Sequence, residues 1–547
     1  MVTRRIRKRP EAILRPGRLR LLAFALAAGA ATTASAQTRT QTPVNEFTPT
    51  LNTSVTWTDN GDSSGSGGPE WVFEIAPGLE IVRERGRATG AFNARFRNLR
   101  RIRNLFASRD SDESESFIEL SGAGSYEAIE NFLFIDADAS ISRDNTSSFS
   151  GRYRGDPLAT NKDDEQRVFS IGPRIEFGFG ENGRGSARYL ARWYEGARGN
   201  LAEERVDQWT AGLSDPTAFG RVGWGLAYSR TETQYQAPYN DEFLEEIGRA
   251  TVYVGLMPEL RLRGIAGYER NDYAGNEDSG SIYGGGFDWT PNSRTSLSAT
   301  AEDRLFGTGY DVQFNHRMPR LEYLPSSHWQ LSFTRDIQSD LETLAGGFLL
   351  DPRFQSLLAL FNDPVIVALY PDEADRRRRL VELYESIGGN FDPLRSNLYY
   401  LERAARAAVS LIGARNVLTL SYDNTDRERL NTLSGSFIGD RPEDELAIFG
   451  RIKTSTVTLS LTHRLSGVSA VTASIARENA EGSESDQFSD LETDRTWLRV
   501  GLATRFSPDT TGGLSYSYQR TESDSNQGTS FTDFTENAIT ATLAMRF

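Results

Sequence analysis

Three histidines, His316, His328 and His463, are the only imidazoles in a chain of 547 residues that has no cysteine. One of them stands beside a nucleophile type, in Ser326-Ser327-His328. A serine hydrolase needs its base within reach of the hydroxyl and held by a third group, and adjacency in sequence supplies neither. The zinc signature H-E-x-x-H and the phosphate loop ending in G-K-[ST] are both missing. The acidic runs Asp110–Glu115 and Glu481–Asp494 have the composition to hold divalent cations that bridge lipopolysaccharide. Neither shows EF-hand spacing, so both read as solvated loops. The chain is read as a non-enzyme without cofactor or metal, and an outer-membrane hydrolase is the least favoured alternative.

Arginine is the residue whose spacing carries more. Arg95 and Arg97, with Asn93, alternate with Phe92, Ala94 and Phe96. Arg188 and Arg192 alternate with Ala187, Tyr189, Ala191 and Trp193. Arg174 shares a face with Glu176, Arg261 with Arg263, and Arg499 and Arg505 alternate with Leu498, Val500, Leu502 and Phe506. Such a charged face opposite an apolar one fits a strand between lipid and water, where charge is costly on the lipid side. Functionally this is an anion-selective or sugar-lining wall. Structurally it is a set of inward Arg and Glu that pair across strands and hold the wall together, and that plainer reading is preferred.

The elements that would position these residues are strands of period two. Trp71, Phe73, Ile75, Leu79 and Ile81 oppose Glu74 and Glu80, and Leu133 to Ile141 alternate with Asp136, Asp138 and Ser140. Val457, Leu459 and Leu461 oppose Thr456, Thr458, Ser460 and Thr462. Runs of eight to eleven residues match the ~9–11 that cross a bilayer as a tilted strand. Short links at 84–86, 181–183, 257–259, 291–293, 466–467 and 507–509 alternate with generally longer polar ones, such as 58–70, 144–165, 424–449 and 521–534. A bacterial barrel has that asymmetry, with tight periplasmic turns and longer outer loops. The count runs from 47–57, 71–83 and 87–97 to 511–520 and 535–547. It gives about twenty-two strands, in a range of 18–22, for an all-β closed antiparallel transmembrane barrel.

The two ends of the chain agree with this. Arg4 to Arg20 are basic, Leu21 to Ala31 apolar, and Ala34-Ser35-Ala36 precede Gln37, the layout of a cleaved signal peptide over 1–36. The barrel then spans 37–547. Removing 1–36, with its eight basic residues and one acid, takes the net charge from −14 to −21, which disfavours nucleic acid as a partner. With no later apolar run of ~18 residues, a membrane crossing falls to strands. Counting back from Phe547, Met545, Leu543, Ala541 and Ile539 form one apolar face. This terminal strand resembles the signal read by the barrel-assembly machinery, a partner that recruits an apolar strand edge. Outer-membrane lipid and lipopolysaccharide are the surroundings this implies, in the cell outer membrane of a Gram-negative organism.

Residues 338–396 differ from everything around them. Asp351-Pro352 can start a helix through Leu360, and Asp372 another that carries Arg376, Arg377, Arg378 and Arg379 and stops at Gly388-Gly389. On strand parity this helical insertion lies on an outer loop, as a lumen constriction or an external cap. The segment after it, Asn397-Leu-Tyr-Tyr-Leu-Glu-Arg through Asn416-Val-Leu-Thr-Leu-Ser-Tyr422, resembles barrel proteins associated with the exosortase/PEP-CTERM sorting system. That group is similar to a wider set of β-barrel porins. The resemblance implies a protein encoded beside exopolysaccharide production, with exopolysaccharide or its export proteins as partners, and it supplies no functional residue.

The expectation is a porin-like channel for exopolysaccharide or another polar solute, narrowed by 338–396. Its rival is a non-conducting scaffold or adhesin. Barrels of about twenty-two strands are wide enough that natural examples are plugged. Replacing 340–390 with a short Gly/Ser linker should therefore leave a folded, heat-modifiable barrel of higher single-channel conductance. Unchanged conductance would make the segment an external cap.

Overall fold

A computed structural model describes residues 45–61, 68–83, 86–103, 113–143, 148–149, 165–196, 204–235, 242–273, 276–319, 325–338, 399–430, 445–483, 490–525 and 533–547. The proposed signal peptide and the helical insertion, with Arg376 to Arg379, lie outside the described residues. Twenty-two strands are present. The first eleven are β1 Asn45–Thr58, β2 Glu70–Arg83, β3 Ala88–Ile102, β4 Glu113–Ile129, β5 Leu133–Arg143, β6 Glu165–Phe179, β7 Gly183–Gly196, β8 Glu204–Phe219, β9 Val222–Tyr235, β10 Glu242–Met257 and β11 Leu260–Tyr273. The rest are β12 Asn276–Asn292, β13 Thr295–Arg304, β14 Gly307–Met318, β15 Ser326–Gln338, β16 Tyr400–Ile412, β17 Asn416–Arg429, β18 Arg451–Arg464, β19 Ser469–Ser483, β20 Leu491–Ser507, β21 Thr510–Ser525 and β22 Phe534–Arg546. One helical turn, α1 Glu445–Ile448, precedes β18.

Each strand pairs antiparallel with the next, and β1 also pairs with β22 from Thr50↔Arg546 to Thr58↔Ala538. The sheet is therefore a closed barrel without a free edge. Parity survives the whole circuit. Leu51, Val55 and Trp57 lie opposite Met545, Ala541 and Ile539, and Phe73 and Ile75 follow on the same outer face through β2. Large apolar side chains on that face are solvent-exposed, among them Ile118, Trp209, Leu226, Tyr283, Leu459 and Leu514. On β1 the outward aromatics Phe47 and Trp57 stand ten residues apart. At ~3.3 Å per residue and a tilt of ~40° that is roughly 25 Å, the height of a lipid-facing band. Outward Phe219, Trp289, Trp329, Phe506 and Phe547 ring the short-turn end.

The strands run longer than their apolar alternation. Beyond the band their loop-side ends carry outward charges, as in Arg403, Asp426 and Arg451, where Arg451 reaches Asp426 at 2.6 Å. Hydrogen-bonded pairing goes on past the hydrocarbon, whereas alternation is imposed by the hydrocarbon alone. At one end the links are tight, from two residues at 220–221 and 258–259 to seven at 319–325. Gly220 takes φ +75° there, and Asn131 takes φ +53° in the β4–β5 turn, a conformation a short polar side chain tolerates. At the other end most links are longer, but β11–β12 and β13–β14 are joined by two residues each. Long outer loops are therefore not continuous around the rim.

Phe547 sits at the closing seam, where its amide donates to the Pro49 carbonyl at 3.0 Å. Its ring lies outside in the band and remains exposed. Phe547→Ala should lower the yield of membrane-inserted, heat-modifiable barrel several-fold while sparing the other pairings. Equal yields for the two forms would remove this residue from assembly.

Candidate functional site

The inner face is a ladder of guanidinium–carboxylate contacts. Arg97 on β3 lies between two strands' carboxylates, with Nε 2.7 Å from Glu74 Oε1 and Nη1 2.7 Å from Glu119 Oε1. The register makes this possible, since Glu119 faces Arg95 directly and Arg97 one diagonal away. Arg95 is itself 3.7 Å from Glu119 and remains 44% exposed. Arg174 donates to Asp136 at 2.9 Å and also meets Glu176, while Arg188 lies 3.7 Å from Asp136. Arg192 is almost fully buried on β7. Further round, Arg249 spans from β10 to Glu302 on β13 at 2.9 Å, and Arg304 reaches Glu269 at 2.7 Å. Arg546 on β22 crosses β1 to Glu80 on β2 at 2.7 Å, tying the seam from inside.

Arg95, Arg97, Arg188 and Arg192 share this inward face. They do not converge. Each belongs to its own local group, with Arg95 and Arg97 on β3 and Arg188 and Arg192 on β7. Met545, Leu543 and Ile539 occupy the outward face of β22.

Sequence reasoning missed a second feature, an apolar contact across the loop-side mouth. Twenty-two strands at ~4.8 Å and ~40° tilt enclose a bore on the order of 40 Å, backbone to backbone. Phe149, from the link between β5 and β6, packs on Phe449 just after α1 with ring centroids 5.2 Å apart. The Ser148 amide donates to Glu445 at 2.8 Å, and Arg495 of β20 donates to the Ser148 carbonyl at 2.9 Å. Elsewhere in the mouth Phe243 of β10 stacks on Tyr399, centroids 5.6 Å apart, and the Tyr399 hydroxyl meets Thr233 of β9 at 3.1 Å. These residues form one buried cluster with Tyr400, Leu446, Ile452 and Leu491. The signal was present in the sequence. Leu446, Ile448 and Phe449 stand close together at the end of the link before β18, and Phe149 is flanked by Ser147, Ser148 and Ser150.

Burial divides the bore into two halves. On the loop side, inward residues such as Glu70, Val72, Leu99, Tyr194, Val206, Phe243, Glu269, Thr493 and Phe534 are buried. On the short-turn side Asn93, Arg95, Ser121, Glu176, Arg261 and Arg499 are exposed to water. A wet vestibule thus leads from the short-turn end toward a packed mouth.

The hydroxyls beside His328 are committed elsewhere. Ser326 donates to the Ile412 carbonyl at 3.2 Å, and Ser327 accepts from the Trp329 indole at 2.9 Å. Among the described residues no group of three His, Asp or Glu is placed to hold a metal ion.

No family model matches this chain, and no curated protein matches it. Among solved structures it is similar to the siderophore receptor PirA from Acinetobacter baumannii, with 8% identity over 93% of this chain and 81% of that one, TM-score 0.47. Pseudomonas aeruginosa OccK5 (OpdH) shows 9% identity over 92% and 98%, TM-score 0.33. A loop-deletion form of OmpT, an outer membrane protein of Vibrio cholerae, shows 8% over 93% and 100%, TM-score 0.31. At these scores the likenesses carry no argument, and the fold rests on its own strand pairings.

The mouth has a measurable anchor. Arg495 and Glu478 pair at 2.6 Å, both nearly fully buried, and Arg495 also holds Ser148. Arg495→Ala would strand the Glu478 carboxylate in the packed region, at a cost of about 3–5 kcal/mol. The expected result is a clearly lower urea midpoint for the folded barrel. An unchanged midpoint would mean that this half of the bore is wet.

Proposed function

We propose that the protein is a porin-like channel of the Gram-negative outer membrane, carrying exopolysaccharide or another polar solute without covalent chemistry. One observation carries the reading. A closed 22-stranded barrel bears an outer apolar band roughly 25 Å tall around a charged, water-lined vestibule. The short turns face the periplasm in this reading, and the long links face outward toward lipopolysaccharide. Assembly proceeds through the barrel-assembly machinery, and association with the exosortase/PEP-CTERM group belongs to the same proposal.

The mouth cluster sets the conductance. Phe149 and Phe449 come from two different outer links, and in this reading passage parts their contact. The buried loop-side half also favours a second reading, a non-conducting surface scaffold or adhesin. Planar-bilayer recordings separate the two. The native protein should show small or intermittent steps, and Phe149→Ala combined with Phe449→Ala larger and steadier ones. Silence from both folded forms would favour the scaffold. Epitope tags at 155 and 485 should be accessible on intact cells and those at 182 and 508 protected, and labelling at 182 would invert the orientation.

A further inference from the structure

Arg97, Arg174, Arg249 and Arg546 on the inner wall each stand 2.7–2.9 Å from a carboxylate. Arg499 and Arg505 on β20 do not. Both alternate inward with Gly501 and Ala503, while Val500 and Leu502 are exposed on the outer face. Among the described residues no carboxylate pairs with either guanidinium. Arg499 lies opposite Ser474 of β19 and Ser517 of β21 instead, and it is exposed to the bore.

The wall beside the two arginines is flat and rich in hydroxyls. Gly513 of β21 pairs with Ala503, and a Cβ there would sit 2.7 Å from Thr542 Oγ1. A Cβ at Gly501 would sit 3.3 Å from Thr472 Oγ1. The glycines therefore leave the hydroxyls at the surface without bulk between them. The same surface continues where Ser515 faces Thr540 and Thr542 faces Ser54 across the seam. Among the described residues, the inward positions of β20, β21 and β22 along this stretch hold no Asp or Glu. Arg499 and Arg505 are six residues apart on one strand, or ~20 Å at ~3.3 Å per residue. A single small anion cannot meet both. A solute that does is extended, bears negative charge at intervals, and meets hydroxyls in between. Guanidinium forks match carboxylate geometry. The floor offers no aromatic platform of the kind on which nucleic-acid bases stack.

We propose that the inner wall of β20 to β22 is a contact track for a carboxylate-bearing polysaccharide. Arg499 and Arg505 take its carboxylates, and the hydroxyls between them take its sugar hydroxyls. As a statement about the transported solute this rests on the channel reading above, which it deepens by fixing the charge of the solute. Binding to the wall requires no conduction.

Calorimetric titration of a mannuronate hexamer into the detergent-solubilised full chain tests the track, with heat modifiability checking the fold of each variant. Saturable binding is expected, and it should weaken about tenfold in Arg499→Gln with Arg505→Gln, as two exposed ion pairs are lost. Neutral maltohexaose should bind more weakly and equally to both forms. Arg261→Gln, which removes an exposed inward arginine across the bore, should bind the uronate like the native protein. Absence of saturable uronate binding overturns the track, as does unchanged binding by the double variant. An equal loss in Arg261→Gln reduces it to diffuse wall charge, and a thymidine oligonucleotide that binds as well as the uronate reduces it to a general polyanion surface. Bilayer recordings separate the two readings. Conduction without uronate binding removes the track and keeps the channel, whereas binding by a silent barrel keeps the track and removes the channel.

Discussion

Everything in this molecule depends on the nine-residue seam where Thr50 to Thr58 pair with Arg546 to Ala538. In hydrocarbon an unpaired backbone amide or carbonyl costs several kcal/mol, so an open sheet edge cannot stand there. Consecutive hairpins satisfy every strand except the outer edges of the first and last, and the seam removes those two. It joins the most distant parts of the chain, which makes it the contact with the largest loop-closure cost and the one that most needs added support. That support is visible on both faces. Inside, Arg546 reaches over β1 to Glu80, and outside, Leu51, Val55 and Trp57 lie against Met545, Ala541 and Ile539.

Closure also explains why the interior is so heavily charged. Side chains alternate with period two, so one register fixes the inward set of all twenty-two strands together. A slip of one residue would expose Arg97, Glu119, Arg249 and Glu302 to lipid, each at a cost of a few kcal/mol near mid-membrane. The charged ladder therefore acts against misregistration as well as across strands. In a wet bore each exposed pair contributes little, about 0–1 kcal/mol. The buried pairs Arg495–Glu478 and Arg304–Glu269 are different, because removing one partner leaves a charge without water. Those two lie on the loop side, where the inner wall is packed.

This division accounts for what could be read in the sequence. Alternation is written by lipid on one side and water on the other, so the strand number, the order and the inward placement of Arg95, Arg97, Arg188 and Arg192 were all legible. Strand ends were less so. β17 continues to Arg429, past Tyr422, after which its outward residues are no longer apolar. The mouth was hardest to read, because it is built by a few apolar residues on the links rather than on the strands. Leu446 in the single helical turn and Phe449 just after it lie three apart, a pattern too short to stand out against twenty-two strands. What marks them is the absence of any lipid-facing role, since no strand runs through that segment. The tight β11–β12 and β13–β14 links went unnoticed for the converse reason, because long loops were expected at that end.

The two ends of the bore therefore follow different physics. At the short-turn end the wall is wet and its charges are screened. At the loop end Phe149, Phe449, Phe243 and Tyr399 form a contact that holds only while water is excluded from it. Burying apolar surface contributes about 25 cal/mol per Å², so a handful of aromatic rings amounts to several kcal/mol. Polar anchors add direction to it, with Glu445 and Arg495 gripping the Ser148 backbone and Thr233 gripping Tyr399. A contact of that size is small beside the cooperative stability of twenty-two paired strands. The frame and the mouth are therefore energetically separable parts of one chain.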